Sequence, residues 1–382
     1  MGFGTYDRAV HPRVGVLLDG LAAHGAEVVE VVRPLGIDTA GRVDLLRRPW
    51  RVPLLAVRVL SCWTSIAGRG LRTARRLDPD VVLVGYLGHF DVLLARLLFP
   101  RRTIVLDHLI SAADTATDRG AHGDLLQRLL GGLDRAAVSA ADVVVVDTTA
   151  QARQVGGRDP RDVVVVPVGA DERWVAAAAG GHEPDPPEPL RVVFFGLFTP
   201  LHGTATIARA IALLCARQEP VELLMIGTGQ DHEQALELAG GSSRVTWRPW
   251  VEPADLPGVV AAHDVCLGIF GSTDKALRVV PSKAYQGAAA GCAIVTSDTP
   301  PQRDALGDAA VFVPPGDPEA LADALTALAH DRHELARRRE AARTLAVTCF
   351  VPAAVVEPLL DRLDAPVPAL AAGSDARGRP TL

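Results

Sequence analysis

The sequence predicts an α/β protein built from two doubly wound, parallel-sheet domains. Three observations carry this. Continuous Val/Leu/Ile runs at 81–84, 104–106 and 143–146 alternate with helix-periodic segments, the pattern of strands buried on both faces of a parallel sheet. The alternation breaks at a proline-rich, poorly patterned stretch, 175–190, and restarts at 191. The 382 residues, 48% of them hydrophobic, suit two domains of ordinary size.

The first element is a strand of about three residues. A buried parallel strand is usually 4–8 residues, so two readings stand: a naturally short strand, or a start upstream of Met1. Val14, Leu17, Leu18 and Leu21 follow with helical spacing, and the helix ends near Gly25 before a strand at 28–32. Residues 42–76 hold nine arginines against Asp44 alone, with Trp50, Leu54, Leu55, Val57, Leu60, Trp63 and Ile66 between them. Such a basic amphipathic helix either lies on an anionic membrane surface or is a surface helix with a solvated arginine face. Strands at 80–88, 103–111, 142–150 and 162–171 then alternate with helices at 90–99 and 122–140. After the linker, strands at 191–198, 221–229, 244–250, 264–270, 292–298 and 309–315 alternate with a loop opening into a helix at 199–214 and with helices at 231–239, 253–263, 282–290 and from 318. The expected organisation is a domain at 1–174, a linker at 175–190, a domain at 191–348, a helix at 349–364 able to return to the first domain, and a disordered tail at 365–382.

Composition excludes several classes. A net charge of −6 argues against a dedicated nucleic-acid binder. The five scattered cysteines read as reduced, buried thiols of a cytoplasmic protein. No Cys/His spacing marks a metal site, and Asp78-Pro79-Asp80 reads as a turn before a buried strand. No secretory leader is visible and no uncharged run is long enough to span a membrane. The expected location is cytoplasmic, with peripheral contact at the inner membrane face through 42–76 as the membrane reading of that segment.

The stretch 264–300 reads strand, polar loop, short helix, glycine break, strand, and it holds both lysines of the chain, Lys275 and Lys283. A helix start supplies unpaired N–H groups and the positive end of the dipole, and lysine or arginine adds charge to meet a diphosphate. Lys275, Arg278 and Lys283 stand there, with Pro281 at the helix start. The competing reading is a solvated basic loop.

The segments FFGLFTPLHGTATIARAIALL, LLMIGTG, RVTWRPWVEPADLPGVVAAHDVCLGIF, PSKAYQGAAAGCAIVTSDTP and VFVPPGDPEALADAL follow one another over about 190–330. In order and spacing they resemble the family 4 retaining glycosyltransferases. FGTYDRAVHPR and DHLIS extend the resemblance into the first half. It implies the GT-B fold, two Rossmann-like domains facing a central cleft, with the acceptor on the N-terminal side and a nucleotide-diphosphate sugar on the C-terminal side. It implies no cofactor and no metal: the leaving phosphate helps take the acceptor proton during front-side attack.

Carried over residue by residue, the resemblance places Lys283, Arg278, Lys275, Gln286, Gly196, His202, Gly203, Trp250 and Glu252 at the donor. The sequence departs from the family pattern where two glutamates are usual. Gln286 stands at the ribose position, and Arg278, which cannot act as a carboxylate, is expected to pair with phosphate. His202 precedes Gly203 where a basic residue is usual. Trp250 is expected to cover the nucleobase or to be an ordinary half-buried Trp. On the acceptor side stand Gly4, Tyr6, Asp7, His11, Arg13 and His89. His108 is expected to contact the transferring sugar, with Asp107 orienting it or accepting a proton; a strand-end cap is the other reading for each. The expected function is sugar transfer to a hydroxyl of a glycan, lipid-linked or natural-product acceptor. A nucleotide-sugar 2-epimerase and a non-catalytic nucleotide-sugar-binding protein remain open.

Overall fold

The computed structural model describes residues 1–8, 11–36, 52–86, 88–109, 111–118, 123–155, 162–179 and 189–364. Most of the linker 175–190, the tail 365–382 and the 42–51 part of the arginine-rich segment lie outside the described residues.

Two six-stranded parallel sheets form the described structure. The first contains β1 (Gly2–Gly4), β2 (Glu30–Val32), β3 (Val81–Val84), β4 (Thr103–Asp107), β5 (Val143–Val146) and β6 (Val163–Val165), in the order β2-β1-β3-β4-β5-β6. The second contains β7 (Leu190–Phe195), β8 (Val221–Ile226), β9 (Val245–Arg248), β10 (Val265–Leu267), β11 (Ala293–Ser297) and β12 (Ala310–Val313), in the order β12-β11-β10-β7-β8-β9. Read from β9 this is third, second, first, fourth, fifth, sixth, the Rossmann order. In such sheets ligands bind where the strand order reverses, beyond the carboxyl ends of the strands. The reversals fall at β1/β3 and β7/β10.

The Val-rich runs form strands because β-branched side chains suit a pleated surface buried on both faces. β5 is buried at all four valines and β4 from Ile104 to Asp107. Helices cover both faces of each sheet, giving two pairs of apolar layers. Phe194, Phe198, Leu267 and Val295 lie in one layer of the second sheet, and Phe195, Cys266, Tyr285 and Ile294 in the other.

The last helices, Pro352–Val355 and Glu357–Asp364, lie on the first sheet. Val355, Val356 and Leu359 pack with Leu17, Val143 and Val166. The approach is close at Gly20, where a Cβ would come 2.2 Å from the Pro352 carbonyl oxygen. The segment 122–140 is the single helix Asp124–Ala140, and a separate helix, Ala112–Asp118, precedes it. β1 is three residues long and fully buried, its place secured by pairing on both sides with β2 and β3. Asp78 adopts φ 46° in the turn before β3.

Candidate functional site

The carboxyl end of β7 turns at Gly196, whose φ of 138° favours glycine. A Cβ there would lie 3.0 Å from Lys283 Nζ. The chain continues through the short turn Pro200–His202 to Gly203, at φ 64°. A Cβ on Gly203 would come 2.4 Å from the Phe270 carbonyl carbon, so glycine is what lets this loop lie on the end of β10. His202 Nδ1 lies 3.2 Å from Thr199 Oγ1, which fixes its ring beside the loop.

Lys283 enters from the first turn of the Ser282–Ala289 helix. That helix is buried from Lys283 to Ala289, and Gly287 lies against Cys266 of β10. Lys283 is therefore held by backbone packing. Its side chain is 4% exposed, and Nζ stands 3.7 Å above the centre of the Phe194 ring. Among the described residues Nζ has no hydrogen-bond partner. Burial lowers its pKa to about 7. A buried lysine without an anionic partner is costly; here it sits at the switch point of the second sheet, beside a bare glycine backbone and a helix start with no side-chain cap. Gln286 is one turn further along the same helix and is also buried.

Lys275 and Arg278, expected to act with Lys283 on phosphate, have partners within the protein. Lys275 Nζ donates to Thr115 Oγ1 at 3.1 Å, across to the Ala112–Asp118 helix. Arg278 Nε donates to the Asp274 carbonyl at 2.8 Å, and its Nη2 lies 3.6 Å from Asp114. The Arg278 carbonyl accepts from Thr148 Oγ1 at 3.0 Å. This loop therefore joins the two halves of the molecule. Trp250 is 66% exposed, with Nε1 donating to Glu252 Oε1 at 3.2 Å, so it is neither half-buried nor covered.

Between the halves lies a cleft of about 670 Å³, lined by His108, Ser111, Asp134, Gln151, Lys275 and Arg278 among others. His108 follows β4 and is 9% exposed. Burial, with help from nearby His89, lowers its pKa to about 4, so the ring is neutral at pH 7. His89 is buried behind it, the two rings meeting edge to face at 5.4 Å. Its Nε2 is 2.9 Å from Asp134 Oδ1. Burial would raise the Asp134 carboxyl, but the His89 ring, the Ala112 N–H and the Ser111 hydroxyl outweigh it and hold the pKa at about 2.

Asp107 corrects the expectation that it orients His108. Its carboxylate is 2% exposed and accepts from Arg13 Nε at 2.7 Å. Arg13 Nη2 donates to the Val166 carbonyl at 3.1 Å. Asp147, at the end of β5, is buried in the same cluster. Burial raises both carboxyls and Arg13 opposes it; Asp147 reaches about 7. Arg13 is thus an internal counter-charge with 3% exposure, whereas an acceptor contact must reach the cleft. Tyr6 differs from expectation for a similar reason: it is 2% exposed, and its hydroxyl donates to Glu30 Oε2 at 3.0 Å. The residues nearer the surface are His11, stacked on the Tyr86 ring at 3.9 Å, and Asp7, whose carbonyl accepts the His11 N–H. Gly4, φ 149°, leaves room for Asp91, which accepts from the Thr5 N–H at 2.7 Å.

Sequence reasoning missed Asp134 and Asp147. Asp147 closes a valine strand as Asp107 does, a signal that could have found it. Asp134 lies inside a helix with no local sign of its tertiary partners.

Residues 189–331 match the model of the family described as glycosyl transferases group 1. A phosphatidyl-myo-inositol mannosyltransferase of Mycolicibacterium smegmatis is 32% identical over 179 residues; the match covers 44% of this chain and 44% of that protein, less than half of its length. Among solved structures, Anabaena HepE with UDP-glucose superposes with a TM-score of 0.66 at 16% identity, over 95% of this chain and 98% of that one. Its complex with UDP gives 0.65 at 15% identity with the same coverage. Sucrose-phosphate synthase from Thermosynechococcus elongatus gives 0.66 at 16% identity over 91% of each chain. At these identities the structural likeness speaks for the fold. The chain has the GT-B fold, and its residues 189–331 match the group 1 glycosyl transferases.

Proposed function

We propose that the protein is a glycosyltransferase that moves a sugar from a nucleotide-diphosphate sugar to a hydroxyl acceptor, with retention at the anomeric carbon, as in family 4. The observation that carries this reading is Lys283: a buried amine without a partner among the described residues, at the start of a helix, beside Gly196 and His202. A diphosphate laid along this loop receives the lysine charge and the helix N–H groups as its own charge grows on leaving. Gln286 meets the ribose and His202 donates to phosphate. Neutral His108 faces the sugar across the cleft. The leaving phosphate takes the acceptor proton, so no base is required of Asp107. HepE, which shares the fold, has been solved with UDP and with UDP-glucose, and this supports a diphosphate donor.

Titration calorimetry with UDP, GDP and dTDP tests the donor site. At least one is expected to bind, and failure of all three would remove the reading. Binding without sugar transfer to any of a panel of glycan, lipid and small-molecule acceptors would favour a non-catalytic protein, and interconversion of the donor alone an epimerase.

A lipid-linked acceptor is favoured by the name of the mannosyltransferase relative and by the Val52–Leu77 helix. Cys62, Ile66 and Gly70 face the core, while Val57 (63%) and Leu60 (57%) are exposed. Arg58, Arg69, Arg72, Arg75 and Arg76 are exposed on the same helix, which has no acidic residue. Leu97, on the neighbouring Asp91–Leu98 helix, is 76% exposed. No described helix is long and apolar enough to cross a membrane. The proposed contact is with the surface of an anionic bilayer. In flotation, the protein is expected to rise with phosphatidylglycerol vesicles and not with phosphatidylcholine vesicles, and Val57→Asp/Leu60→Asp to stay at the bottom. Equal flotation of that variant would remove this face from the proposal.

A further inference from the structure

The fold brings together His89, His108 and Asp134, which lie far apart in sequence. We propose that these three side chains form a binding site for one zinc ion on the N-terminal side of the cleft. The inference does not depend on the transferase reading.

The three residues bring their ligand atoms into one small volume. One ligand atom from each residue lies within 4.8 Å of the others. His89 Nε2 and Asp134 Oδ1 are 2.9 Å apart, which brings two ligand atoms side by side. A zinc ion would take the place of the proton between these two atoms, with the imidazole neutral and the carboxylate ionised. Tetrahedral zinc with Zn–N near 2.0–2.1 Å places two imidazole centres about 5 Å apart. The His89 and His108 rings are 5.4 Å apart at an interplanar angle of 70°.

The surroundings match a ligand set as well. Asp134 Oδ1 accepts one N–H, from Ala112 at 2.9 Å, which leaves a lone pair for a metal. Its other oxygen, Oδ2, accepts from the Ser111 hydroxyl at 2.8 Å and the Ala113 N–H at 3.2 Å. Such outer bonds fix a metal-binding carboxylate in place. Each residue is anchored on a different element: His89 just before the Asp91–Leu98 helix, His108 after β4, and Asp134 within Asp124–Ala140. Two imidazoles and a carboxylate suit zinc among the late divalent cations. Three protein ligands leave a fourth position. His108 and Asp134 both line the cleft, so that position is open to water or to an anionic oxygen from a cleft occupant.

The test is equilibrium dialysis of the metal-stripped full chain against zinc chloride. One zinc per chain is expected, and no stoichiometric uptake would overturn the site whether or not any variant folds. His89→Ala and His108→Ala are each expected to weaken uptake about tenfold or more. Wild-type uptake in both variants would overturn the site. Cobalt substitution guards against binding at the five cysteines. The cobalt spectrum is expected to lack a thiolate charge-transfer band; its presence would place the metal elsewhere.

Discussion

Lys283→Met is expected to weaken nucleoside-diphosphate binding by about a hundredfold, the loss of one buried charge-assisted hydrogen bond. The same change is expected to stabilise the ligand-free protein by about 1–4 kcal/mol, as replacing buried charge by apolar volume often does. The two effects share one cause. The methylene chain is packed, and Nζ lies over Phe194 without an anion to answer its charge. Methionine keeps most of the packing and removes the desolvation penalty. A residue that destabilises the empty protein and is held in place by a buried helix is one whose partner arrives with the ligand. Loss of binding together with loss of stability would mean that Lys283 is structural.

The pH dependence follows from burial lowering this pKa to about 7 from 10.5. Between these values the unfolded chain holds a proton that the folded one lacks, so this group's contribution to stability rises with pH across that window. Lys283→Met should flatten that rise in urea titrations from pH 7 to 10. Ligand binding has the opposite demand. A bound diphosphate favours the ammonium form, so binding takes up protons between the lowered pKa and the ordinary lysine value. Affinity should then fall as pH rises above 7, where the diphosphate itself has finished titrating. Calorimetry in buffers of different ionisation enthalpy reads the proton directly. No uptake in the wild type would detach Lys283 from the diphosphate.

How far this site could be read from sequence depends on whether the deciding partner is local. Lys283 was legible because the strand, glycine loop and helix start around it lie within one short segment. The strands were legible because parallel sheets leave continuous Val runs. The helix Ala112–Asp118 was not, since AADTATD has no apolar period and forms against Asp134, which caps Ser111, Ala112 and Ala113 from another helix. Lys275 and Arg278 read as phosphate ligands because residue type and spacing were all that could be seen. Their partners, Thr115 and Asp114, lie across the cleft, where only the tertiary fold places them. Arg13 opens a helix between Pro12 and Val14, and an arginine in a first turn reads by its type alone as a surface residue, whereas Arg13 is buried.

That burial makes Arg13 the residue whose loss should be felt most in stability. Arg13→Met leaves Asp107 and Asp147 enclosed without a counter-charge, and breaking a buried pair this way costs about 3–5 kcal/mol. Asp107 Oδ2, Asp147 Oδ1 and Arg13 Nη1 have no hydrogen-bond partner among the described residues, so there is little local compensation for the lost cation. The penalty should depend on pH with a definite sign. Both carboxyls already have pKa values raised by burial against the opposing pull of Arg13, and removing Arg13 raises them further. A raised folded-state carboxyl binds a proton that the unfolded chain has lost, so its stability contribution is present at low pH and falls as pH rises through the folded value. Arg13→Met should therefore unfold at much lower urea at pH 8 than the wild type and recover part of the difference at pH 5.5. Adding Asp107→Asn should restore stability at pH 8, because the amide needs no counter-charge. If the single variant is equally impaired at both pH values and the double variant is no better, Arg13 acts through its volume and its bond to Val166, and not through charge.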